Sequence, residues 1–586
     1  MIFLPIAERE LRVAGRKRST FWVRIVAALV ALVFGAGFLT IESFVSGPGA
    51  PSVGHTLFQV LTWLSLAVAW SAGLFFTSDC LSEEKRQGTL GFLFLTDLRG
   101  YDVVLGKLLA TSLRVFYCLL AVFPILSITM LMGGVNAAQF WKALLALLSA
   151  MFVSVAAGLF VSSISRESQK ALFWTLTLLV VLTAGGPAID ETVSQLRGRT
   201  FVPSLCLSSP VYLFMAADAW GQTRYWAALG VNQACGWAFL GLACWLLPRA
   251  WQQKAPQLSK AGSSRDYLRR YGPSERRSGR RRKLLEPNPV VWLACRERWQ
   301  PLLCWAVAIT MAGVIVLSIA LDEQWLWTFV WTMVGGAFTL VVYLWVASTS
   351  TSFFLEAKRS GLTELLLATP LTVVQIVNGN WRGLARVFGP PLGLCLAVLL
   401  VGSYMAQQRS WGQLSAATAA PPAGPGGGAA VTVVTNGSTV TTTTTASGTR
   451  GKVSFSVANP YGEHWQALAL VTAIGGTALT MANMIALVWF GMWTGLNSKS
   501  PNIAILKTLL CVQIIPWFCI MFATVMLVFF ATFQRILGGS PAWSVWMMQV
   551  LPIGLLLGKD IGFVVWSRSK LHSEFRERAS GTFGRR

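Results

Sequence analysis

Apolar residues in this chain come in long runs separated by short polar segments, without the two-residue alternation of half-buried strands over most of the length. Runs that approach the ~20 residues needed to cross a bilayer predict membrane-spanning helices. About 12 are expected. The first half supplies Trp22–Val45, Thr56–Ser78, Leu108–Met132, Phe140–Ile164, Ala171–Ile189 and Trp226–Leu247. The second half supplies Leu302–Leu321, Trp325–Thr349, Val387–Met405, Leu468–Gly491, Thr508–Phe533 and Trp543–Trp566. The pattern predicts an all-α, polytopic membrane protein whose length counts spans and not soluble domains.

One polar break occurs twice. Glu83, Lys85, Arg86, Gly88, Leu93, Thr96, Leu98, Val104 and Gly106 recur as Glu356, Lys358, Arg359, Gly361, Leu366, Thr369, Leu371, Val377 and Gly379, at a constant offset of 273 (356 − 83 and 379 − 106). In both copies the segment stands between the second and third spans of its half. Six spans per half is an even number, so both halves start and end on the same side. The fold expected is therefore two parallel six-helix repeats with a pseudo-symmetry axis along the membrane normal, and a pathway at the interface of the halves.

The organisation follows. Residues 1–248 form the first six-span repeat, 249–299 a basic linker and 300–586 the second repeat. Residues 1–20 place Ile2, Phe3, Ile6, Leu11 and Val13 among Arg9, Arg12, Arg16 and Lys17, the pattern of a helix lying on an anionic membrane surface or of a merely solvated tail. The linker holds a basic run at 276–283 and four breakers, Gly272, Pro273, Pro287 and Pro289. The second half carries a low-complexity insertion at 406–464, outside the membrane on the far side, opening with Ala, Pro and Gly. Around Asn436-Gly437, alternating Val and Thr predict a β-hairpin, although the Thr441–Thr445 run fits an irregular loop equally well.

Composition agrees with spans: 54% of residues are hydrophobic and 12% charged, against roughly a quarter charged in soluble domains. The net charge of +24 does not signal nucleic acid, because the basic residues flank apolar helices instead of forming a patch with stacking aromatics. Placing both termini inside puts 39 of the 48 Lys and Arg residues on the inner side, which the positive-inside bias requires. The chain is thus expected as a multi-pass protein of the cell (inner or plasma) membrane with both termini cytoplasmic. The ten cysteines form no C-x-x-C pair and the three histidines (His55, His464, His572) are scattered, so no metal site is expected.

The first copy of the repeated segment opens with Glu83, Glu84, Lys85 and Arg86, continues from Gly88 and Thr89 through Thr96, and ends in Gly106-Lys107. The second runs from Glu356, Lys358 and Arg359 through Gly361, Glu364, Thr369 and Pro370 to Gly379-Asn380. About eight apolar residues cannot span a bilayer but suit a short helix at its surface, one face on neighbouring helices and the other toward a partner. These segments resemble the signature of type 2 ATP-binding-cassette (ABC) permeases: an acidic-basic start, Gly-Thr-Leu-Glu-Leu-Leu, a Thr-Pro, and Gly-Lys opening the third span. The first copy departs from it at Gly91 and Asp97, the second at Asn380, and each supplies what the other lacks. Arg9-Glu10 and Arg296-Glu297 resemble the family's lead-in to the first span.

The resemblance implies that both segments are coupling helices that dock onto an ABC ATPase, and that the chain is the permease subunit of an ATP-driven transporter, in direction an exporter. No G-x-x-x-x-G-K-[ST] loop is present; Gly106-Lys107-Leu108 and Gly558-Lys559-Asp560 do not satisfy it. The chain is therefore expected to be no enzyme. ATP and Mg would be bound in a separate partner, two copies for the two docking segments. Membrane lipid is an expected partner, nucleic acid is not, and the substrate is not readable.

Charges inside spans are the remaining candidates. Arg114 and Arg386 lie about two turns into the third and ninth spans, where they snorkel, gate or bind an anionic substrate. Lys559 and Asp560 lie in the last span; as sequence neighbours they point about 100° apart, so each is expected to need another partner. Two other functions are compatible with a twelve-span chain. A twelve-span secondary transporter has a short turn between its second and third spans and a proton relay in its central spans, and this chain has neither. A membrane scaffold would explain the loops but not the duplication.

Overall fold

The computed structural model describes residues 53–579 except 96–98, 166, 198–203, 219–223, 252–284, 287, 296–298, 322–338, 420–429, 437–438, 446–452, 459–464, 499 and most of 521–541, with scattered positions before residue 53. The surface helix expected over 1–20, the span Trp22–Val45, the pairs Arg9-Glu10 and Arg296-Glu297, Thr96 and most of the linker lie outside the described residues. Among those described, nine helices are long and apolar enough to cross a membrane, and the protein is polytopic and helical, as the pattern predicts. The chain divides into two compact units, residues 1–259 with 500–506, and residues 260–499 with 507–586.

In the first unit α1 (Val53–Ala72) passes through a π-helical turn (Gly73–Thr77) into α2 (Cys80–Gln87), followed by the short α3 (Thr89–Phe94). Then come α4 (Gly100–Leu131), α5 (Ala137–Ile164), α6 (Ser168–Val180) with a second π-helical turn (Val181–Gly185), α7 (Gly186–Arg197), α8 (Pro210–Asp218) and α9 (Tyr225–Trp251). The α4–α5 connection turns at Gly133 and Gly134, both at positive φ, and Asn136 caps α5 by accepting from Ala138 N. Apolar all round, α5 is the central helix, with 72% of its most apolar window buried.

In the second unit α10 (Pro289–Ala294) and α11 (Trp299–Leu321) precede α12 (Thr339–Arg359), α13 (Leu362–Ala368) and the long α14 (Val373–Ala419). After the insertion come α15 (Trp465–Asn497), α16 (Pro501–Leu509, which begins among the residues grouped with the first unit), a π-helical turn (Leu510–Ile514) and α17 (Ala542–Ala579). The insertion differs from its expectation in two ways. The chain stays helical to Ala419, since Ala and Gln make up seven of residues 406–419 and the first proline comes at Pro421. The hairpin is present, β1 (Ala430–Asn436) against β2 (Thr439–Thr445) with Asn436 opposite Thr439, and β3 (Val453–Ala458) adds a third antiparallel strand.

Lipid tails are as apolar as leucine, so helices in a bilayer associate by close packing more than by hydrophobic burial. Each unit meets this need in the same place. In the first, Gly73 N donates to Ser154 Oγ (2.9 Å), and a methyl group at Gly158 would overlap Thr77 Oγ1 and the Gly73 carbonyl. In the second, a methyl group at Gly491 would overlap Ser350 Oγ, and one at Gly495 would overlap the Thr351 carbonyl. Thr77 and Ser350 obey the 273 offset, while Gly158 and Gly491 obey a second, 333 (491 − 158), which absorbs the longer insertion of the second half. The hydroxyls of Thr349, Ser350, Thr351 and Ser352, all buried in α12, bond to carbonyls one turn back in their own helix and leave no donor stranded.

Beyond the fifth helix of the first unit, Asp190 on α7 is buried and accepts from Ser204 N (2.8 Å), Ser204 Oγ (2.8 Å) and Cys206 N (2.7 Å). Burial alone would raise its pKa, but the donors at Cys206, Ser204 and Leu205 outweigh it and hold the carboxyl at about 2.

Two outcomes follow. Gly158→Ala and Gly495→Ala should each cost about 1–3 kcal/mol by overpacking and lower the Tm in detergent, whereas Gly230→Ala, with no atom within 4 Å, should not. A folded pKa below the unfolded value stabilises above the unfolded value and is lost as pH falls through the folded one. The contribution of Asp190 should therefore be complete above about pH 5 and disappear toward pH 2, and Asp190→Asn should remove that part of the acid dependence of melting.

Candidate functional site

The duplicated segment folds the same way in both units. A helix ends on a glycine in the left-handed region, Gly88 (φ 72°, ψ 1°) in the first copy and Gly361 (φ 71°, ψ 3°) in the second. A short helix follows, α3 or α13. The left-handed turn is open to glycine at no steric cost and redirects the chain within one residue. The next long helix is capped at matching register. In the first copy Arg99 N donates to Asp102 Oδ2 (3.0 Å); in the second, Thr372 N donates to Gln375 Oε1 (2.9 Å) and Gln375 N to Thr372 Oγ1 (3.3 Å).

The repeated lysine has one job in both copies. Lys85 donates to the carbonyl of Ser163 at the end of α5. Lys358 donates to the carbonyl of Leu496 at the end of α15 (3.3 Å) and to that of Arg578 (2.9 Å). Ser163 and Leu496 are again 333 apart (496 − 163). A cation at a helix C-terminus satisfies carbonyls that have no intrahelical donor and opposes the negative end of the dipole. The first foot is thereby tied to α5 and the second to α15.

The copies differ in their acidic residues. In the first, Asp79 accepts from both terminal guanidinium nitrogens of Arg86 (2.9 Å each), and Glu84 pairs with Lys107 (2.7 Å) with both side chains largely buried. At the register positions of the second, Asp79 becomes Ser352, Glu84 becomes Ala357 and Lys107 becomes Asn380. The loss of the family's lysine at Asn380 thus coincides with the loss of its partner. In exchange, α17 supports the second foot: Phe575 packs edge-on against Phe354 at 5.5 Å, and Arg578 donates to Asn497 Oδ1 (2.5 Å) while pairing with Glu574 (2.7 Å). Gly379 and Gly383 bring α14 so near α10 that a methyl group on either would lie 2.6–2.9 Å from Asn288, Val290 or Ala294.

The tips face outward. Phe92 is 70% exposed and Leu365, at the same register, 66% exposed. Glu83, Glu84 and Lys85 are partly exposed, Arg86, Thr89, Glu356, Arg359, Glu364, Thr369 and Pro370 exposed, and Gly106, Lys107 and Gly379 buried. Phe92 and Leu365 were not among the residues singled out in the sequence; their shared apolar character within a charged segment at a common register is the signal that marks them.

The span charges form a separate group. Lys559 Nζ pairs with Asp560 Oδ1 (2.7 Å) and donates to the Val512 carbonyl (2.6 Å). Lys559 thus has the separate partner expected of it, the Val512 carbonyl, while its flexible four-carbon stem also lets it pair with its neighbour Asp560, which the angle between helix neighbours alone does not suggest. Val512 lies in the π-helical turn of the fifth helix. In the first unit Ser209 Oγ donates to Thr183 O (2.7 Å), in the equivalent turn. A π-turn frees a carbonyl from the helical ladder, and each unit supplies a donor for it. Arg114 is half-buried, its Nε without a partner among the described residues, while Arg386 is exposed.

The buried pair gives a direct test. Glu84→Ala leaves Lys107 without its carboxylate and should cost on the order of 3 kcal/mol in the thermal melt of the purified chain. Adding Lys107→Asn, which copies the second unit, should recover most of that loss.

No curated protein matches the chain. Residues 3–190 match the family model described as ABC-2 type transporter, which takes in the first foot and ends within α7. The resemblance seen in the duplicated segment holds over those residues, while the second foot lies outside the match. Residues 3–190 are thus similar to the ABC-2 type transporter family of membrane permeases, and the described helices agree with a multi-pass membrane protein.

Proposed function

We propose that the chain is a permease subunit of an ATP-driven exporter, and that Glu83–Thr96 and Glu356–Thr369 are docking feet for two copies of a separate ABC ATPase. The observation that carries this reading is the common build of the feet: a charged base tied to α5 or α15, a left-handed glycine, and one large apolar side chain standing in solvent at the same register. An exposed apolar residue on a rigid projection is what a partner's groove takes up. The tie through Lys85 and Lys358 means that displacement of a foot displaces a spanning helix with it.

The mechanism is mechanical. ATP, with Mg, is bound and hydrolysed in the partner. Closure of the two ATPase copies draws the feet together, and two helical bundles with two packed arrangements are shifted from one to the other. This chain supplies stiffness and alignment and no reacting group. Export as the direction, the inner or plasma membrane as the location, and cytoplasmic placement of both termini follow from the family resemblance and from the lysine and arginine distribution.

Purification of the full chain in mild detergent should recover a companion that carries a P-loop. Phe92→Asp combined with Leu365→Asp should reduce that recovery at least about tenfold, by removing two apolar anchors, without changing membrane insertion. Recovery unaltered by the double change would rule out the docking assignment.

A further inference from the structure

The third spanning helix differs between the copies on its outward face. In α14, Arg382 and Arg386 are both exposed, and four residues apart they share one face of the helix. Ala385, Gly389 and Pro390 are exposed with them, while Gly383, Leu384, Val387 and Phe388 are buried. Neighbouring Trp381 stacks on Trp489 (5.4 Å), and Gly383 sits against Ala294, so the rotation that turns the arginines outward is fixed by packing. At the 273 offset the first unit has Leu109 and Leu113, and Leu109 is 44% exposed. Where one copy has leucines at these positions, the other presents a pair of exposed guanidinium groups.

Their depth can be read from the sequence. No Asp, Glu, Lys or Arg occurs between Val387 and Met405. Those residues rise about 28 Å as a helix, close to the ~30 Å hydrocarbon thickness. Arg386 then lies at the edge of the hydrocarbon on the side of the docking feet, and Arg382 about one turn deeper in the headgroup layer. The candidate span Val373–Met405 contains no acidic residue. Neither arginine has an ion-pair or hydrogen-bond partner among the described residues. A charged group facing the bilayer is costly unless it reaches a counter-charge, and the group available at this level is a lipid phosphate. A planar guanidinium matches phosphate oxygens in a two-pronged geometry, and two of them one turn apart can hold one phosphate between them.

We propose that Arg382 and Arg386 form a binding site for the phosphate of a membrane lipid, present on the second unit and absent from the first. The site attaches a lipid to the helix that begins just after the second foot. It does not depend on the ATPase reading and can fail or succeed separately from it.

The test uses the full chain, delipidated in detergent and titrated with phosphatidylglycerol, with bound lipid counted by native mass spectrometry. Three arms accompany the unmodified protein: Arg382→Leu with Arg386→Leu, which transplants the first unit's residues; Arg382→Lys with Arg386→Lys; and diacylglycerol of the same chain length in place of the phospholipid. The leucine pair should weaken retention of one phosphatidylglycerol on the order of tenfold or more, the lysine pair less, and diacylglycerol should not occupy the site. Millimolar inorganic phosphate should not displace the lipid. Equal retention by the leucine and unmodified proteins would overturn the proposal, as would equal retention of diacylglycerol. Displacement by inorganic phosphate would overturn the lipid assignment. Should the leucine pair not fold, loss of the phospholipid-over-diacylglycerol preference in Arg382→Gln with Arg386→Gln decides the same point.

Discussion

Close approach of α5 to the π-helical turn after α1 in the first unit, and of α15 to α12 in the second, is the constraint on which the rest depends. Gly158 against Thr77, and Gly491 and Gly495 against Ser350 and Thr351, bring two helices nearer than ordinary side chains permit. At that separation a lysine about two turns beyond the contact reaches the carbonyls that end α5 and α15, as Lys85 and Lys358 do. The foot then continues from a fixed helix end, turns on a left-handed glycine, and projects its tip. In a bilayer, where burial of leucine against leucine gains little, this steric fit sets the position of a charged surface element.

The two copies share that geometry and satisfy it with different chemistry. The first is held by internal ion pairs, Asp79 with Arg86 and Glu84 with Lys107. The second has lost both carboxylates and leans instead on the last helix, through Phe575, Arg578 and the second carbonyl bound by Lys358. The fifth helices show the same divergence. Each has a π-helical turn with a freed carbonyl, taken by a serine hydroxyl in one unit and by a lysine paired to a buried aspartate in the other.

Much of this was legible in the residues. Hydrophobic run length located the described spans, because the bilayer thickness imposes it, and the constant offset located both feet, because duplication preserves register. The Asn436-Gly437 hairpin was legible from alternation about a turn pair; the third strand, Val453–Ala458, carries the same signal in Val453, Phe455 and Val457 and could have been found with it. Other features were not legible. Helix continuation to Ala419 depends on context beyond the apolar stretch. The pairing of Lys559 with Asp560 depends on side-chain flexibility, which backbone periodicity ignores. The exchange of Glu84 and Lys107 for Ala357 and Asn380 was visible as a departure from a motif but acquires meaning only once the two side chains are seen in contact.

The central claim is that both feet stand on the same side of the membrane on like-oriented bundles. Gln87 and Ser360 are exposed, immediately precede the two left-handed glycines and are related by the 273 offset, which makes them equivalent reporters. Single cysteines at these two positions, in a background without the native cysteines, can be challenged with a membrane-impermeant thiol reagent from either face of sealed vesicles. Labelling of both from one face only is the predicted result. Labelling of the two from opposite faces would contradict the account.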